Sequence, residues 1–379
     1  MKHFTQIEDT SMFFKQPEAF HKYTDKETLA MALGATMYTP ATRKDIADIL
    51  ITRKYKPLTS FVICLEDSIA DSEVEIGQKN LLKQMEQVDQ AVESGLLKEE
   101  EIPLLFIRVR TPEHLEYLEK HLDALHRITG FNLPKFDSSN AFDYLKVIKR
   151  MNEHPKAPFY AMPILESPSI IYQETRLQEL IYLKGVCDQF QSYILNIRVG
   201  GTDFSSAYGI RRGVDFTIYD VSVIADCLKD VLNFFSRASD DYVISGPVWE
   251  YFPDKTRVLK PQLRQTPFED KNARKELLGK ELDGLIKEVA LDKANGFVGK
   301  TIIHPSHLPY VNALQVVTYE EYMDACQVLG NSALKGVEKS TCGNKMNETK
   351  PHTKWATRII KKSKVYGVLK NDINYVQLF

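Results

Sequence analysis

Eight short apolar, β-rich runs alternate with longer segments of helical period between about residues 34 and 317, and this alternation is the strongest constraint on the fold. Near-continuous apolar strands separated by helices are typical of a parallel sheet that is covered on both faces. Eight such units are the number that closes a (β/α)8 barrel. The runs lie at residues 34–39, 60–66, 103–110, 130–135, 159–166, 194–200, 242–248 and 299–304.

The segments between the runs have the spacing of amphipathic helices, most clearly at residues 43–53, 140–152, 219–236 and 272–295. We therefore predict an α/β protein with a (β/α)8 TIM barrel, and a doubly wound open sheet is the alternative. The predicted organisation has three parts, which are an N-terminal extension, a barrel domain and a C-terminal helical appendage. Their bounds are residues 1–33, 34–317 and 318–379.

Composition excludes several classes of protein. The 379 residues carry 49 Lys and Arg against 51 Asp and Glu, and this net charge of −2 lacks the basic excess of a nucleic-acid-binding domain. No window approaches the ~18 consecutive apolar residues of a membrane-spanning helix, and the N-terminus is too charged for a signal peptide. The five cysteines form no Cys-x-x-Cys pair. We expect a cytoplasmic protein with reduced cysteines, no membrane contact and no nucleic-acid partner.

Charged residues follow the predicted strands, where the active sites of such barrels lie. Glu166 and Asp203 follow neighbouring strands, and such a pair of carboxylates is suited to Mg²⁺. Either residue alone would better fit a helix cap or an ion pair. The other titratable residues at these positions are Arg43, Glu66, Asp67, Arg108, Arg110, Lys135 and His304. His304 is expected to be a structural hydrogen-bonding residue rather than a base.

Two further features fit an anionic substrate. Arg108 offers a planar, permanently charged fork for a carboxylate, and an ion pair with Glu66 is the alternative role. The turn at Gly200, Gly201 and Thr202 lets backbone N–H groups approach an anion. This turn lacks the spacing of a dinucleotide-binding or P-loop motif.

Seven motifs follow one another along the barrel segment, namely YTPATR (38–43), CLEDSIAD (64–71), IRVR (107–110), LPK (133–135), PILES (163–167), GGTDFSSAYGIRR (200–212) and GFVGKTIIHPSH (296–307). In type and order they resemble the HpcH/HpaI aldolase and citrate lyase β-subunit superfamily, whose barrels are of the phosphoenolpyruvate/pyruvate-binding type. The last motif is the most specific. The tail at residues 343–368 further resembles a subgroup described as C–C bond lyases of the TIM-barrel fold and associated with tellurite-resistance gene clusters.

The resemblance implies roles for individual residues. Glu166 and Asp203 look like the Mg²⁺ ligands, and Arg108 looks like the arginine that binds the substrate carboxylate. Glu66 and Asp67 look like the acidic pair that orders water and this arginine. The sequence departs from the family pattern at Ala41, Thr42, Cys64, Arg110 and His307. These departures affect the expected coenzyme A pocket and the identity of the substrate more than the metal site.

The sequence therefore predicts a Mg²⁺-dependent carbon–carbon bond lyase, or the reverse aldol or Claisen-type condensation. Its substrate would be a small 2-oxo or hydroxy acid or its acyl-CoA adduct. Arg108, Glu66 and Asp67 are the candidate catalytic residues. Arg43, Lys135 and residues 200–202 are the candidate substrate contacts. A Schiff base on Lys135 is disfavoured, because it would duplicate the electrophilic role of the metal. A catalytically silent scaffold that binds metal and ligand is the alternative function.

The appendage is expected to form a lid over the mouth of the barrel, in its own or a neighbouring subunit. Its apolar residues, such as Trp355, Ile359 and Tyr366, are spaced too regularly for a disordered tail, and Glu348 or His352 would add a proton donor. Related malyl-coenzyme-A-lyase-like proteins resemble this plan, and the resemblance implies a homo-oligomer, a trimer or hexamer. Helices that merely cover the outer wall of the barrel are the alternative.

Overall fold

The computed structural model describes residues 1–240, 242–253, 280–330 and 336–379. Eight of its strands form one parallel sheet, and four short strands lie outside it. The strands are β1 (Phe13–Lys15), β2 (Ala35–Pro40), β3 (Ser60–Cys64), β4 (Leu104–Arg108), β5 (Ile128–Leu133), β6 (Tyr160–Leu165), β7 (Ile197–Val199), β8 (Ile244–Ser245), β9 (Lys300–Ile302), β10 (Val337–Lys339), β11 (Met346–Glu348) and β12 (Val368–Leu369).

The parallel sheet closes into a barrel. Strands β2 to β8 lie side by side in chain order, and β9 pairs with β2. The gap between β8 and β9 is bridged by backbone hydrogen bonds, since Gly246 N donates to Gly299 O at 3.0 Å and Thr301 N donates to Gly246 O at 3.2 Å. Each of the eight predicted runs corresponds to one of these strands. The predicted TIM barrel is confirmed, and the alternative of an open sheet is wrong.

Helices follow the strands and cover the outside of the barrel. Three of the predicted helices are present as α2, α5 and α9, and the fourth is present from Lys280 onward, while residues 272–279 lie outside the described residues. None of the described helices is both long and apolar enough to cross a membrane. The helices are α1 (Lys26–Ala32), α2 (Ile46–Ile51), α3 (Val74–Glu93), α4 (Pro112–Glu119), α5 (Ala141–Met151), α6 (Pro168–Ile171), α7 (Gln173–Gln189), α8 (Gly201–Ser206), α9 (Ser222–Phe235), α10 (Lys280–Asn295), α11 (Leu308–Ala313), α12 (Tyr319–Gly330) and α13 (Thr349–Tyr366).

Helices α4 and α5 show how local sequence produces these elements. In α5, Tyr144, Leu145 and Ile148 are buried at helical spacing and pack against the strands. Helix α4 begins at Pro112, whose fixed φ suits the first helical position, and the side chain of Thr111 accepts a hydrogen bond from the N–H of His114 at 3.2 Å.

Alternate residues of each strand face the interior of the barrel or the helices. In β4, Phe106 belongs to an inner apolar cluster with Val62 and Met162, whereas Leu105 and Ile107 pack against the helical layer. Because both faces are buried, the strand is apolar throughout and shows no alternation in hydropathy. Arg108 is the first charged residue along this strand, and it lies where the strand reaches the mouth.

The N-terminal extension and the end of the appendage together close the opposite end of the barrel. The Tyr366 hydroxyl donates to Met31 O at 2.8 Å, and His3 Nε2 lies 2.9 Å from Ala32 O, just before β2. The rings of His3 and Tyr366 stack with their centroids 4.3 Å apart. Strand β1 pairs antiparallel with β12. These contacts join the two ends of the chain below the first barrel strand.

The predicted lid over the chain's own mouth is therefore wrong within the described residues. Helix α13 packs against α1 and α12, and no described residue after Val317 lines the cavity at the mouth. His352 Nδ1 accepts a hydrogen bond from Glu348 N at 3.1 Å, within the appendage. The apolar stripe of α13 is partly buried, as predicted, but its partners are helix α12 and the N-terminal extension. A lid over a neighbouring subunit stays a prediction, as do the three domain bounds.

We expect Tyr366→Phe to lower the free energy of unfolding by about 1–3 kcal/mol, because it leaves the buried carbonyl of Met31 without its donor. Urea denaturation would measure this change. Tyr23→Phe is the matched control, since the Tyr23 side chain is exposed. Equal unfolding midpoints for the two variants would contradict the importance of this contact.

Candidate active site

A cavity of about 460 Å³ opens at the mouth of the barrel, where the parallel strands end. It is lined by Asp67 after β3, Arg108 at the end of β4, Glu166 after β6 and Asp203 after β7. The backbone turn at residues 200–202 forms part of the same wall. Neighbouring strands thus bring four predicted charged residues and the predicted glycine turn into one cavity.

Arg108 lies at the centre of a cluster of carboxylates. Its Nη2 atom lies 2.6 Å from Glu66 Oε2, 3.0 Å from Glu166 Oε1 and 3.2 Å from Asp67 Oδ2. Burial alone would lower the pKa of Arg108, but the carboxylates of Glu166 and Glu66 raise it above its ordinary value. The alternative role predicted for Arg108, an ion pair with Glu66, is present. Its Nε atom has no hydrogen-bond partner among the described residues.

Glu66 and Asp67 differ in environment although they are adjacent. Burial raises the pKa of Glu66, and the charge of Arg108 opposes this shift. Burial also favours a higher pKa for Asp67, yet its interactions with Glu66, Arg108 and Lys135 hold that pKa below its ordinary value. The Lys135 ammonium contacts Glu66 and lies 3.3 Å from Asp67 Oδ1. The acidic pair is thus held between two cationic side chains.

Lys135 also positions Glu166 through its backbone. Its φ of 47° lies in the left-handed region of backbone conformation, which residues other than glycine and asparagine seldom adopt. The turn is held by Asn140, whose amide donates to Lys135 O at 2.8 Å. In this conformation Lys135 N donates to Glu166 Oε1 at 2.9 Å. Glu166 Oε1 therefore has two fixed donors, this N–H and the guanidinium of Arg108.

Glycine at position 200 is required by the close approach of Glu166. A Cβ atom on Gly200 would lie 2.3 Å from Glu166 Cβ and 2.4 Å from its Oε2 atom. No real pair of atoms packs at such a distance, so a side chain at this position would displace the carboxylate. The lack of a side chain at Gly200 thus allows Glu166 to pack against the turn.

Asp203 lies in the first turn of α8 and faces the same cavity as Glu166. Burial raises the pKa of Glu166 to about 7, and the charge of Asp203 adds to this effect while Arg108 opposes it. The neighbouring Thr202 hydroxyl donates to Glu250 Oε1 at 2.9 Å. In the described part of the chain, no group of three or more His, Cys, Asp or Glu side chains is arranged to hold a metal ion. The candidate metal site therefore consists of two carboxylates.

Comparison with known proteins identifies the family. The family model described as C–C bond lyase of the TIM-barrel fold matches residues 27–368, which includes the barrel and most of the appendage. The chain belongs to this family. No curated protein matches the sequence of this C–C bond lyase family member.

Several solved structures are similar to this chain at low sequence identity. The protein CitE from Mycobacterium tuberculosis, in complex with magnesium, acetoacetate and coenzyme A, is 16% identical, with a TM-score of 0.53. The match covers 88% of this chain and 99% of that one. A citrate lyase β-subunit structure from the same organism, complexed with oxaloacetate and magnesium, is 16% identical and has a TM-score of 0.45, with 75% and 97% of the chains covered. RipC from Yersinia pestis has 16% identity and a TM-score of 0.44, with 75% and 95% covered.

Two predicted substrate contacts of this lyase family member, Arg43 and Lys135, do not line the cavity, and neither does the predicted catalytic residue Glu66. Arg43 forms an ion pair with Asp45, with Nη2 donating to Oδ2 at 3.0 Å, and it does not line the cavity. This local pair also raises the pKa of Arg43 above its ordinary value. His304, which the sequence predicts to be a structural hydrogen-bonding residue, lies with its Nδ1 atom 2.7 Å from Ser306 Oγ.

Three polar cavity residues inside the barrel were not predicted from the sequence of this family member. They are Tyr38 in β2, Arg198 in β7 and Thr301 in β9, and all lie inside the barrel rather than at its rim. The search for charged residues at strand ends passes over them. A signal for Arg198 exists, because Asn196 and Arg198 are polar residues at alternate positions of the apolar run at residues 194–200. A strand with polar residues on one face has that face against a polar cavity.

We expect Gly200→Ala to destabilise the protein by about 1–3 kcal/mol, because the new methyl group overlaps Glu166 and forces the carboxylate or the turn to move. Urea denaturation would measure this loss. Gly185→Ala is the control, since a Cβ at that helical position meets no atom within 4 Å and alanine favours helix. If both variants were as stable as the parent protein, the proposed packing of Gly200 against Glu166 would be incorrect.

Proposed function

We propose that this protein is a Mg²⁺-dependent carbon–carbon bond lyase, or catalyses the reverse condensation, acting on a small 2-oxo or hydroxy acid or its acyl-CoA adduct. One observation carries the proposal, which is that Glu166, Asp203 and Arg108 line a single cavity at the mouth of a barrel from a C–C bond lyase family. Two acidic ligands and one cationic clamp are the groups that a carboxylate-bearing substrate of such a reaction requires.

Glu166 and Asp203 are the proposed metal ligands. Hard carboxylate oxygens suit Mg²⁺, which commonly takes one or two carboxylates and completes its shell with water and substrate oxygens. Burial raises the pKa of Glu166 and the charge of Asp203 adds to this shift, and a divalent cation would stabilise both carboxylates in their ionised form. A bound Mg²⁺ would act as a Lewis acid for the charge that develops on the substrate carbonyl.

Arg108 is proposed to bind the substrate carboxylate. The three carboxylates that surround it contact Nη2, whereas Nε has no partner among the described residues. The guanidinium therefore retains donor capacity while its position is fixed by Glu66 and Glu166. Such fixation limits the loss of side-chain entropy when substrate binds. Arg108 would hold the acid with its carbonyl near the Glu166 and Asp203 carboxylates.

Glu66 and Asp67 are proposed to move the proton. Cleavage of a hydroxy acid requires a base to take the hydroxyl proton. As the carbon–carbon bond breaks, the hydroxyl carbon becomes a carbonyl carbon. The electron pair of the broken bond passes to the other fragment, on the carbon next to that fragment's own carbonyl group. Asp67 lines the cavity, and its carboxylate form is favoured. Glu66, which is more deeply buried, would share the proton with Asp67 and keep Arg108 in place.

Lys135 is proposed to act as a cation rather than as a nucleophile. Burial would lower its pKa, but its hydrogen bond to Glu66 and its attraction to Asp67 raise that pKa above the ordinary value. A protonated amine has no lone pair to attack a carbonyl group, which disfavours a Schiff base. Lys135 would instead neutralise the acidic pair and contact an anionic substrate from the rim.

A coenzyme A thioester is proposed as the acyl partner. The Mycobacterium tuberculosis structure with magnesium and coenzyme A shares the fold of this chain, which supports testing a coenzyme A thioester. We also propose a homo-oligomer, a trimer or hexamer, as the motif resemblance to malyl-coenzyme-A-lyase-like proteins implies, and a cytoplasmic location. Small acids and thioesters are the proposed partners, and neither nucleic acid nor membrane is expected.

We expect Asp203→Asn to weaken Mg²⁺ binding by at least about tenfold, or ~1.4 kcal/mol, because it removes one of two anionic ligands. Isothermal titration calorimetry would measure the affinity, and the melting temperature without metal would show that the fold persists. Asp123→Asn is the matched control, since the Asp123 side chain is 90% exposed. Unchanged Mg²⁺ affinity in Asp203→Asn would contradict the metal site.

We expect Arg108→Lys to weaken binding of pyruvate in the presence of Mg²⁺ by about tenfold or more, because lysine keeps the charge but lacks the planar fork. Titration calorimetry would measure the affinity, with Arg150→Lys as the control on an exposed helix face. Equal affinities would rule out the clamp. Assays of thioester and acid consumption on the parent protein separate an enzyme from the alternative, a scaffold that binds these ligands without turnover.

A further inference from the structure

Arg198 extends from the middle of β7 into the interior of the barrel. Its neighbours Ile197 and Val199 pack against the helices, so the alternation of the strand directs Arg198 inward. The side chain is 1% exposed, and it lines the same cavity as Arg108 and Glu166. The proposed function assigns no role to this guanidinium.

The groups around Arg198 are neutral. Its Nη2 atom donates to Thr301 Oγ1 at 2.6 Å, while Nη1 has two long contacts of 3.4 Å, to Thr36 Oγ1 and Asn196 Oδ1. Its Nε atom has no hydrogen-bond partner, and no carboxylate within the described ranges comes within ion-pair distance of the guanidinium. The Tyr38 ring lies 5.8 Å from the centre of the guanidinium.

Other buried arginines of this chain are paired with carboxylates. Arg108 contacts three, and Arg176 contacts Asp226 and Asp230 at 2.7 and 2.8 Å. Removing a charge from water without a counterion costs several kcal/mol. Arg198 is thus a buried cation whose counterion the described residues do not supply, and it borders an open cavity.

We propose that Arg198, with the hydroxyls of Thr301 and Tyr38 beside it, binds a second anionic group of the substrate inside the barrel. The planar fork can hold a carboxylate or a phosphoryl group through two hydrogen bonds, and the shared chemistry is a compact oxyanion. Nε supplies one unused donor for such a pair. Burial makes the interaction strong, because water does not screen it.

The substrate class follows from the two arginines, and this step rests on the proposed function. Arg108 lies at the rim beside the candidate metal ligands, whereas Arg198 lies deeper in the same cavity of about 460 Å³. An acid with a single carboxylate satisfies one of them. A small 2-oxo or hydroxy acid with two anionic groups, either a dicarboxylate or a phosphorylated or phosphonylated acid, satisfies both.

A purely structural role for Arg198 predicts different behaviour. In that case the guanidinium would only cross-link β7 to β2 and β9 through Thr36 and Thr301. Replacement would lower the stability of the protein, but ligand preference would stay the same. Selectivity between ligands of equal size and different charge therefore distinguishes the two roles.

The experiment is a calorimetric titration with Mg²⁺ of four related acids. Pyruvate is the parent compound, and 2-oxobutyrate, fresh oxaloacetate and 3-phosphonopyruvate add a methyl, a carboxylate and a phosphonate to its third carbon. We expect at least one dianion to bind tenfold or more tightly than 2-oxobutyrate, and the better of the two identifies the oxyanion. Arg198→Gln should remove this preference and weaken binding of the better dianion more than binding of pyruvate, whereas Arg108→Lys should weaken all four.

Equal binding of 2-oxobutyrate and both dianions by the wild-type protein would overturn the second anion site and leave the proposed function standing. So would a folded Arg198→Gln variant that keeps the preference. If Arg198→Gln does not fold, the ratio of the wild-type affinities for the better dianion and for 2-oxobutyrate decides. Arg198→Lys should then retain part of this preference. If none of the four acids binds, the proposed function fails. Malonate and inorganic phosphate without Mg²⁺ then test the anion site. Binding of either anion that is weakened in Arg198→Lys would support the site, and the absence of binding would contradict it.

Discussion

The ion pairs of Arg108 are the interaction on which the mouth of the barrel depends. Parallel strands bring the residues at their carboxyl ends together, so Glu66, Asp67 and Glu166 would repel one another without a cation between them. Arg108 supplies that cation from the end of β4 and contacts all three. Buried ion pairs are stable only when their geometry and remaining hydrogen bonds are good. The left-handed turn at Lys135, which donates its N–H to Glu166, meets this requirement.

The barrel could be predicted because its causes are local in sequence. Strands buried on both faces require near-continuous apolar runs, and eight such runs occur between helices. The rim residues could be predicted for the same reason, since the end of an apolar run marks the mouth. The sequence could not show that Arg43 pairs with Asp45 instead of reaching the cavity. The sequence is compatible with both positions of Arg43, and only the side-chain geometry of the folded chain distinguishes them.

The parts that the sequence did not predict depend on contacts between distant residues. The apolar stripe of α13 indicated that one helix face is buried, but a stripe does not specify its partner. Tyr366 contacts Met31, 335 positions earlier, so the described part of the appendage closes the amino-terminal end of the barrel and does not line the cavity at the mouth. Arg198 was missed because charged residues were sought at strand ends. Its neighbour Thr301 is 103 positions away, and this contact exists only because the barrel closes.

The charges of the mouth and interior explain why metal and substrate would depend on one another. Four carboxylates, Glu66, Asp67, Glu166 and Asp203, face three cations, Arg108, Lys135 and Arg198. Among these seven side chains of the described residues the excess is negative and lies on the side of Glu166 and Asp203, so the anionic substrate of the proposed reaction would be repelled there. A divalent cation on that side would reverse the sign of the excess. Electrostatics therefore favours a sequence in which the cation binds before the acid, and Arg198, remote from this excess, attracts an anion at either stage.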